Sequence, residues 1–226
     1  MSGVTDAELL HQRSLSLKMV TAGPNDPGCA ITMSEMATMY EKRRDGSSAL
    51  YLRRAALEMF KGAAGSASYP DLKASLAYAL TLYKFGDVAN ALVETRRVVE
   101  LVEARYGSRD SLLAPGYTLL ALCMTAADEE SRADAEKVAK RAESLAESIA
   151  GQESEMFANA TQVLGYALER RGEYELAEEA YQKAIETRAA ILGPVHSYRP
   201  LEVTYLALLY LRHRFYSEAE PIVREG

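Results

Sequence analysis

Three observations predict an all-α fold, an α-solenoid of stacked antiparallel helix pairs. The first is an internal period of about 42 residues. Ala49, Ala91, Ala135, Ala177 and Ala219 follow one another at steps of 42, 44, 42 and 42, and self-similarity at such a period marks a repeat architecture. The second is that other columns move with this anchor. Twelve residues before it stand Ala37, Ala79, Cys123, Gly165 and Ala207, all small. Thirteen before stand Met36, Tyr78, Leu122, Leu164 and Leu206, all large. Nine before stand Tyr40, Leu82, Ala126, Leu168 and Tyr210, and seven after stand Ala56, Val98, Ala142 and Ala184. Close-packed helices need this pattern, because small residues admit the neighbouring backbone and large ones fill the remaining space. The third observation is spacing: Leu164, Leu168, Ala177, Ala180, Tyr181 and Ala184 recur at helical intervals.

The elements follow in order. A helix over 5–21 places Ala7 in the anchor column extrapolated upstream, so it reads as the second helix of a preceding unit. Helices over 29–44 and 47–61 follow Pro27 and are divided at Gly46. A helix over 70–84 opens at Pro70; Gly86 separates it from 87–105. The next, 113–126, carries Pro115 in its first turn, where a missing N–H costs nothing. Asp128-Glu129-Glu130 then takes the turn without glycine before 131–150. Ser154 is a candidate N-cap for 154–170, Gly172 can end that helix in the left-handed conformation, and 173–191 follows. Gly46 and Gly86 sit in comparable places and are read the same way. Pro200 opens 200–213, and Arg212-His213-Arg214 precedes a short helix over 216–224. The run Val203–Tyr210 has strand-like composition, but its length, flanks and repeat position assign it to a helix. The resulting organisation is an N-terminal helix in 1–28 and five units at 29–69, 70–112, 113–153, 154–199 and 200–226. Ile222 and Val223 fall near an end with little cover, so either the array continues or a partner covers it.

Composition narrows the function. The chain of 226 residues has 26 Lys+Arg against 32 Asp+Glu, a net charge of -6, which argues against nucleic acid as a partner. Cys29 and Cys123 lack further ligands at metal spacing, so neither a metal site nor a disulfide framework is expected. Two isolated cysteines point to a reducing, cytoplasmic setting. The early amphipathic stretch with Arg13 and Lys18 leaves a mitochondrial or other organelle interior open. No apolar run reaches membrane-spanning length, and Asp6 and Glu8 interrupt any secretory signal.

The segment Val163–Ala184 carries a Leu-Gly pair, Gly172, Tyr174, Ala177, Tyr181 and Ala184. It resembles the tetratricopeptide repeat (TPR). With Ile185–His196 and the longer period, it is similar to the 42-residue repeats of kinesin light chains and related scaffolds. The resemblance covers roughly 29–226. Gln162-Val163 and Thr204-Tyr205 stand where kinesin light chain repeats tend to carry paired asparagines, and no set matches the carboxylate clamp of chaperone-binding repeats.

The resemblance implies a right-handed superhelix whose first helices line a concave groove. On that register the partner-binding residues are Lys73, Leu76, Leu80 and Tyr83; Tyr117, Leu120 and Met124; Asn159, Gln162 and Tyr166, with Glu169 beside them; and Thr204, Leu208 and Arg212, with Leu201. The mix of apolar, aromatic and polar groups suits a peptide or helix from a protein partner. The same leucines could be ordinary packing residues.

No catalytic residue is identified. His11, His196 and His213 fall in separate units without a triad at recognisable spacing. Glu178-Glu179 read as a solvated face beside Lys183. Gly62-Ala-Ala-Gly-Ser66 follows a helix and lacks a phosphate-binding lysine. The basic doublets Arg53-Arg54, Arg96-Arg97 and Arg170-Arg171 are accompanied by acids. The expectation is a non-catalytic interaction scaffold without cofactors, whose partners are proteins and could include further repeats of a longer chain. Two alternatives are a structural subunit of a large assembly and an RNA-binding helical repeat.

Overall fold

The computed structural model describes residues 6–23, 25–64, 68–193 and 199–213, which form ten helices and no strand. They are α1 (Asp6–Thr21), α2 (Pro27–Lys42), α3 (Gly46–Ala64), α4 (Tyr69–Lys84), α5 (Val88–Tyr106), α6 (Leu113–Ala126), α7 (Glu129–Ala150), α8 (Glu155–Arg171), α9 (Tyr174–Leu192) and α10 (Arg199–Arg212). Each matches an expected helix to within two or three residues. The expected helix over 216–224, with Ile222 and Val223, lies outside the described residues, as does His196. No helix among the described residues is long and apolar enough to cross a membrane.

Two compact units divide the chain, Met1–Leu101 and Val102–Gly226, with the boundary inside α5. In the first, α1 packs on α2, α2 on α3 and α3 on α4. Its core holds Cys29, Ala30, Ala37, Ala49, Leu72, Ala79 and Ala91, all with no exposed surface. In the second, α6 packs on α7, α7 on α8 and α8 on α9, while α10 lies on α9. Helices α6 and α8, the first members of successive pairs, also touch, so the pairs stack as a repeat requires. The small-residue columns sit where they were expected: Ala37, Ala79, Cys123, Ala135 and Ala177 are all fully buried.

Cap chemistry sets the helix limits. Ser154 accepts from the Phe157 amide at 3.2 Å and starts α8. Gly172 ends it at φ 86 in the left-handed region, and Gly86 plays the same part after α4 at φ 90. The reading of Gly46 is corrected. The left-handed residue there is Arg44, at φ 59, and Gly46 instead opens α3 under an aromatic ring. A Cβ at position 46 would meet Phe85 Cδ1 at 2.5 Å. Gly46 is thus a packing glycine whose neighbour lies 39 residues downstream in sequence.

Candidate functional site

Helix α8 shows how a first helix divides its surface. Phe157, Ala158, Ala160, Thr161, Val163, Leu164, Gly165, Ala167 and Leu168 are buried. Four of the accessible residues form one stripe: Asn159 and Arg170 are exposed, and Gln162 and Tyr166 are half-buried between them. Steps of three and four residues keep these on a single face. Gly165 lets α9 approach, since a Cβ there would lie 2.8 Å from Tyr181 Cδ1 and 3.3 Å from the Ala177 carbonyl oxygen.

The N-terminal half of the stripe is organised by Arg188 of α9, only 7% exposed. Its Nη2 donates to Asn159 Oδ1 at 2.7 Å, its Nη1 to Gln162 Oε1 at 3.0 Å and its Nε to Glu155 Oε2 at 3.3 Å. The planar guanidinium fixes three α8 side chains at once. Arg188 was missed from sequence, although a signal existed. It continues the buried series Ala177, Ala180, Tyr181, Ala184 at helical spacing, where an arginine needs an explanation.

The C-terminal half is organised by Glu169, buried at 7% exposure. Its carboxylate accepts from Tyr181 Oη at 2.9 Å and from Arg212 Nη1 of α10 at 3.0 Å. His213 Nε2 lies 4.0 Å away and its ring stacks on Tyr174 at 3.7 Å between centroids. In the first unit, Glu41 of α2 has the same place relative to its anchor. It accepts from Lys84 Nζ and Thr81 Oγ1 of α4, each at 2.7 Å, and from Arg53 of α3 at 3.0 Å. Burial pushes the Glu41 carboxyl up, but bonds from Lys84, Thr81 and Arg53 outweigh it and hold the group below its ordinary value. Glu41–Lys84 and Glu169–Arg212 both join residues 43 apart, one repeat along, so each is a polar latch between successive first helices.

The other expected groove residues divide by helix. On α4, Lys73 and Leu80 are exposed and Tyr83 is half-buried, but Leu76 is buried. On α6 the expectation of a contacting face fails. Tyr117, Leu120 and Met124 are 5%, 7% and 6% exposed, and the accessible positions are instead Pro115, Thr118, Leu122 and Ala126. This helix packs on both α7 and α8, which leaves a narrow strip for solvent. The Tyr117 hydroxyl is pushed up by burial and by its bond to the Glu103 carboxylate, while Arg141 lies over its ring at 4.5 Å. On α10, Leu208 is half-buried and Arg212 exposed; the side chains of Leu201 and Thr204 lie outside those described. Among the described residues, no group of three His, Cys, Asp or Glu is placed to hold a metal ion.

These features define a protein built from tetratricopeptide-type helix pairs. A family model for the tetratricopeptide repeat matches residues 157–198, the stretch that holds the α8–α9 pair just described, so the chain carries a tetratricopeptide repeat there. No curated protein matches it. Among solved structures, BtubC (BKLC) from P. vanneervenii is similar at TM-score 0.72 and 16% identity, over 96% of this chain and 87% of that one. A Podosopora anserina kinesin-light-chain-like protein with nearly identical TPR-like repeats matches at TM-score 0.65 and 17% identity, over 88% and 93% of the two chains. Rap protein complexed with competence and sporulation factor matches at TM-score 0.71 and 14% identity, over 100% of this chain and 66% of that one. At these identities the likeness establishes the fold.

Proposed function

We propose that this chain is a non-catalytic interaction scaffold. Its second unit receives a peptide or helical segment of a protein partner on the accessible faces of α8 and α10. The observation that carries the reading is the α8 stripe, where Asn159, Gln162 and Tyr166 stay accessible in the middle of a helix whose intervening residues are buried. Hydrogen-bonding amides held by Arg188 next to an aromatic ring suit a partner backbone with an apolar anchor. The TPR fold is typical of protein–protein interaction, and the similar Rap protein was solved in complex with a factor. In the first unit, Lys73, Leu80 and Tyr83 form the corresponding face of α4.

The test is quantitative affinity capture from native cells with wild type, an N159A/Y166A/L208A variant, and an E179A control on the exposed side of α9. Loss of a partner from the triple variant alone supports the reading. Retention of every partner by the triple variant defeats it.

A second reading, a permanently packed structural subunit, draws on α1. Leu10, Leu17 and Val20 there are 65%, 64% and 84% exposed, more than a solitary helix face usually leaves in water. A stable monomer in sedimentation would count against it.

A further inference from the structure

The geometry points to a second site, in the cleft between the α5–α6 loop and the C-terminal half of α7, shaped for a phosphate monoester carried on a small apolar body. The cleft has a volume of about 610 Å³, far more than a lone phosphate needs. Ser108 and Arg109 line it from the loop; Arg141, Ser144, Leu145 and Ile149 line it from α7.

Its charged end is preorganised. Arg141 donates through Nη2 to Glu103 and lies over the Tyr117 ring at 4.5 Å, so its guanidinium is held from two sides. Its Nε and Nη1 have no partner among the described residues. Arg109 is exposed and engages no group among the described residues, and the hydroxyls of Ser108 and Ser144 are likewise unengaged. Two acids lie near. Glu103 is committed to Arg141, and Asp110 accepts the Leu112 amide at 2.9 Å. Arg109 forms no ion pair among the described residues, so its guanidinium is open to an incoming anion. Two guanidinium forks with flanking hydroxyls match the several oxygens of a phosphate dianion better than the two of a carboxylate. The other end is apolar. Leu145 and Ile149 are one helical turn apart and half-buried, and they offer a patch for an aryl or short alkyl group.

The 226-residue chain is titrated calorimetrically with phenyl phosphate, inorganic phosphate and phenol. The site predicts saturable millimolar binding in the order phenyl phosphate, then inorganic phosphate, then phenol. Arg109→Ala weakens both phosphates about tenfold, the usual scale for losing a charge-assisted bond. Arg109→Lys falls between, and Ile149→Ser weakens phenyl phosphate while leaving inorganic phosphate alone. Position 109 is an exposed loop residue, so its variants fold. A phosphotyrosyl peptide that binds more tightly than phenyl phosphate assigns the group to a protein source, and equal binding assigns it to a small molecule. Absence of saturable phosphate binding, equal affinity of wild type and R109A, or phenol binding as tightly as phenyl phosphate overturns the proposal. The α8 face shares no residue with this cleft, so either can fail without the other.

Discussion

The α6–α7 and α8–α9 pairs occupy the same place in successive repeats and reach the same geometry with different residues. In α8–α9 the smallest side chain, Gly165, accepts the largest, Tyr181. At the equivalent positions α6–α7 has Cys123 and Ala139, both fully buried, so volume moves from one helix to the other. The turns differ likewise. Gly172 ends α8 in the left-handed region, whereas α6 ends at Ala127 with φ -77 and ψ -149. Arg132 then donates to the Thr125 and Ala127 carbonyls at 3.2 and 3.1 Å, and Asp128 caps α7 through the Ser131 amide at 2.8 Å. What the repeat conserves is a distance between backbones and a set of satisfied polar groups, which several residue combinations supply.

Four expectations sharpen this contrast. The largest effect falls on the tight Gly165 contact. Gly165→Val forces Tyr181 and the α9 backbone away and costs about 3 kcal/mol in urea denaturation, with partial recovery in a G165V/Y181A double variant. Cys123→Val has no such ring opposite and costs less. Glu169→Ala removes the buried carboxylate that accepts from Tyr181 Oη and costs about 2 kcal/mol. Arg212 is half-exposed, so its ion pair adds little, and a double-mutant cycle with Y181F shows coupling. Gly172→Ala places a Cβ in the left-handed region and costs about 1 kcal/mol, whereas Ala127→Gly brings no gain, because that turn never enters the region. The smallest effect is a difference in pH response. Bonds from the Ser131 amide hold the Asp128 carboxyl below its ordinary value of 3.8. A carboxyl lowered in the folded state stabilises it above the unfolded value, and the contribution disappears as pH falls through the lower folded one. Hydrogen-exchange protection at the start of α7 should fall at acid pH, while the Ser154-capped start of α8, which has no charge to lose, should not respond at that cap.

The same two pairs show what the sequence could disclose. In α8, Asn159, Gln162, Tyr166 and Arg170 recur at steps of three and four, so that face was readable, although Thr161 and Glu169 are polar and buried. Helix α6 has no charged residue from Leu113 to Ala126, and an apolar helix gives no clue to which face meets solvent. Tyr117, Leu120 and Met124 were placed in the groove by the repeat register alone and are instead buried. The helices themselves were legible because small residues in fixed columns are a local, repeated signal. Gly46 was misread because its reason, the Phe85 ring, is a tertiary neighbour. Arg188 escaped because acceptors on a different helix decide its role.

Cys29 and Cys123 are both outside any disulfide and have no exposed surface, one in α2 of the first unit and the other in α6 of the second. Modification of either thus requires its surroundings to open. The molecule thereby carries two native clocks, and the rates at which an alkylating reagent reaches each sulfur would time the breathing of the two halves separately, without any engineered label.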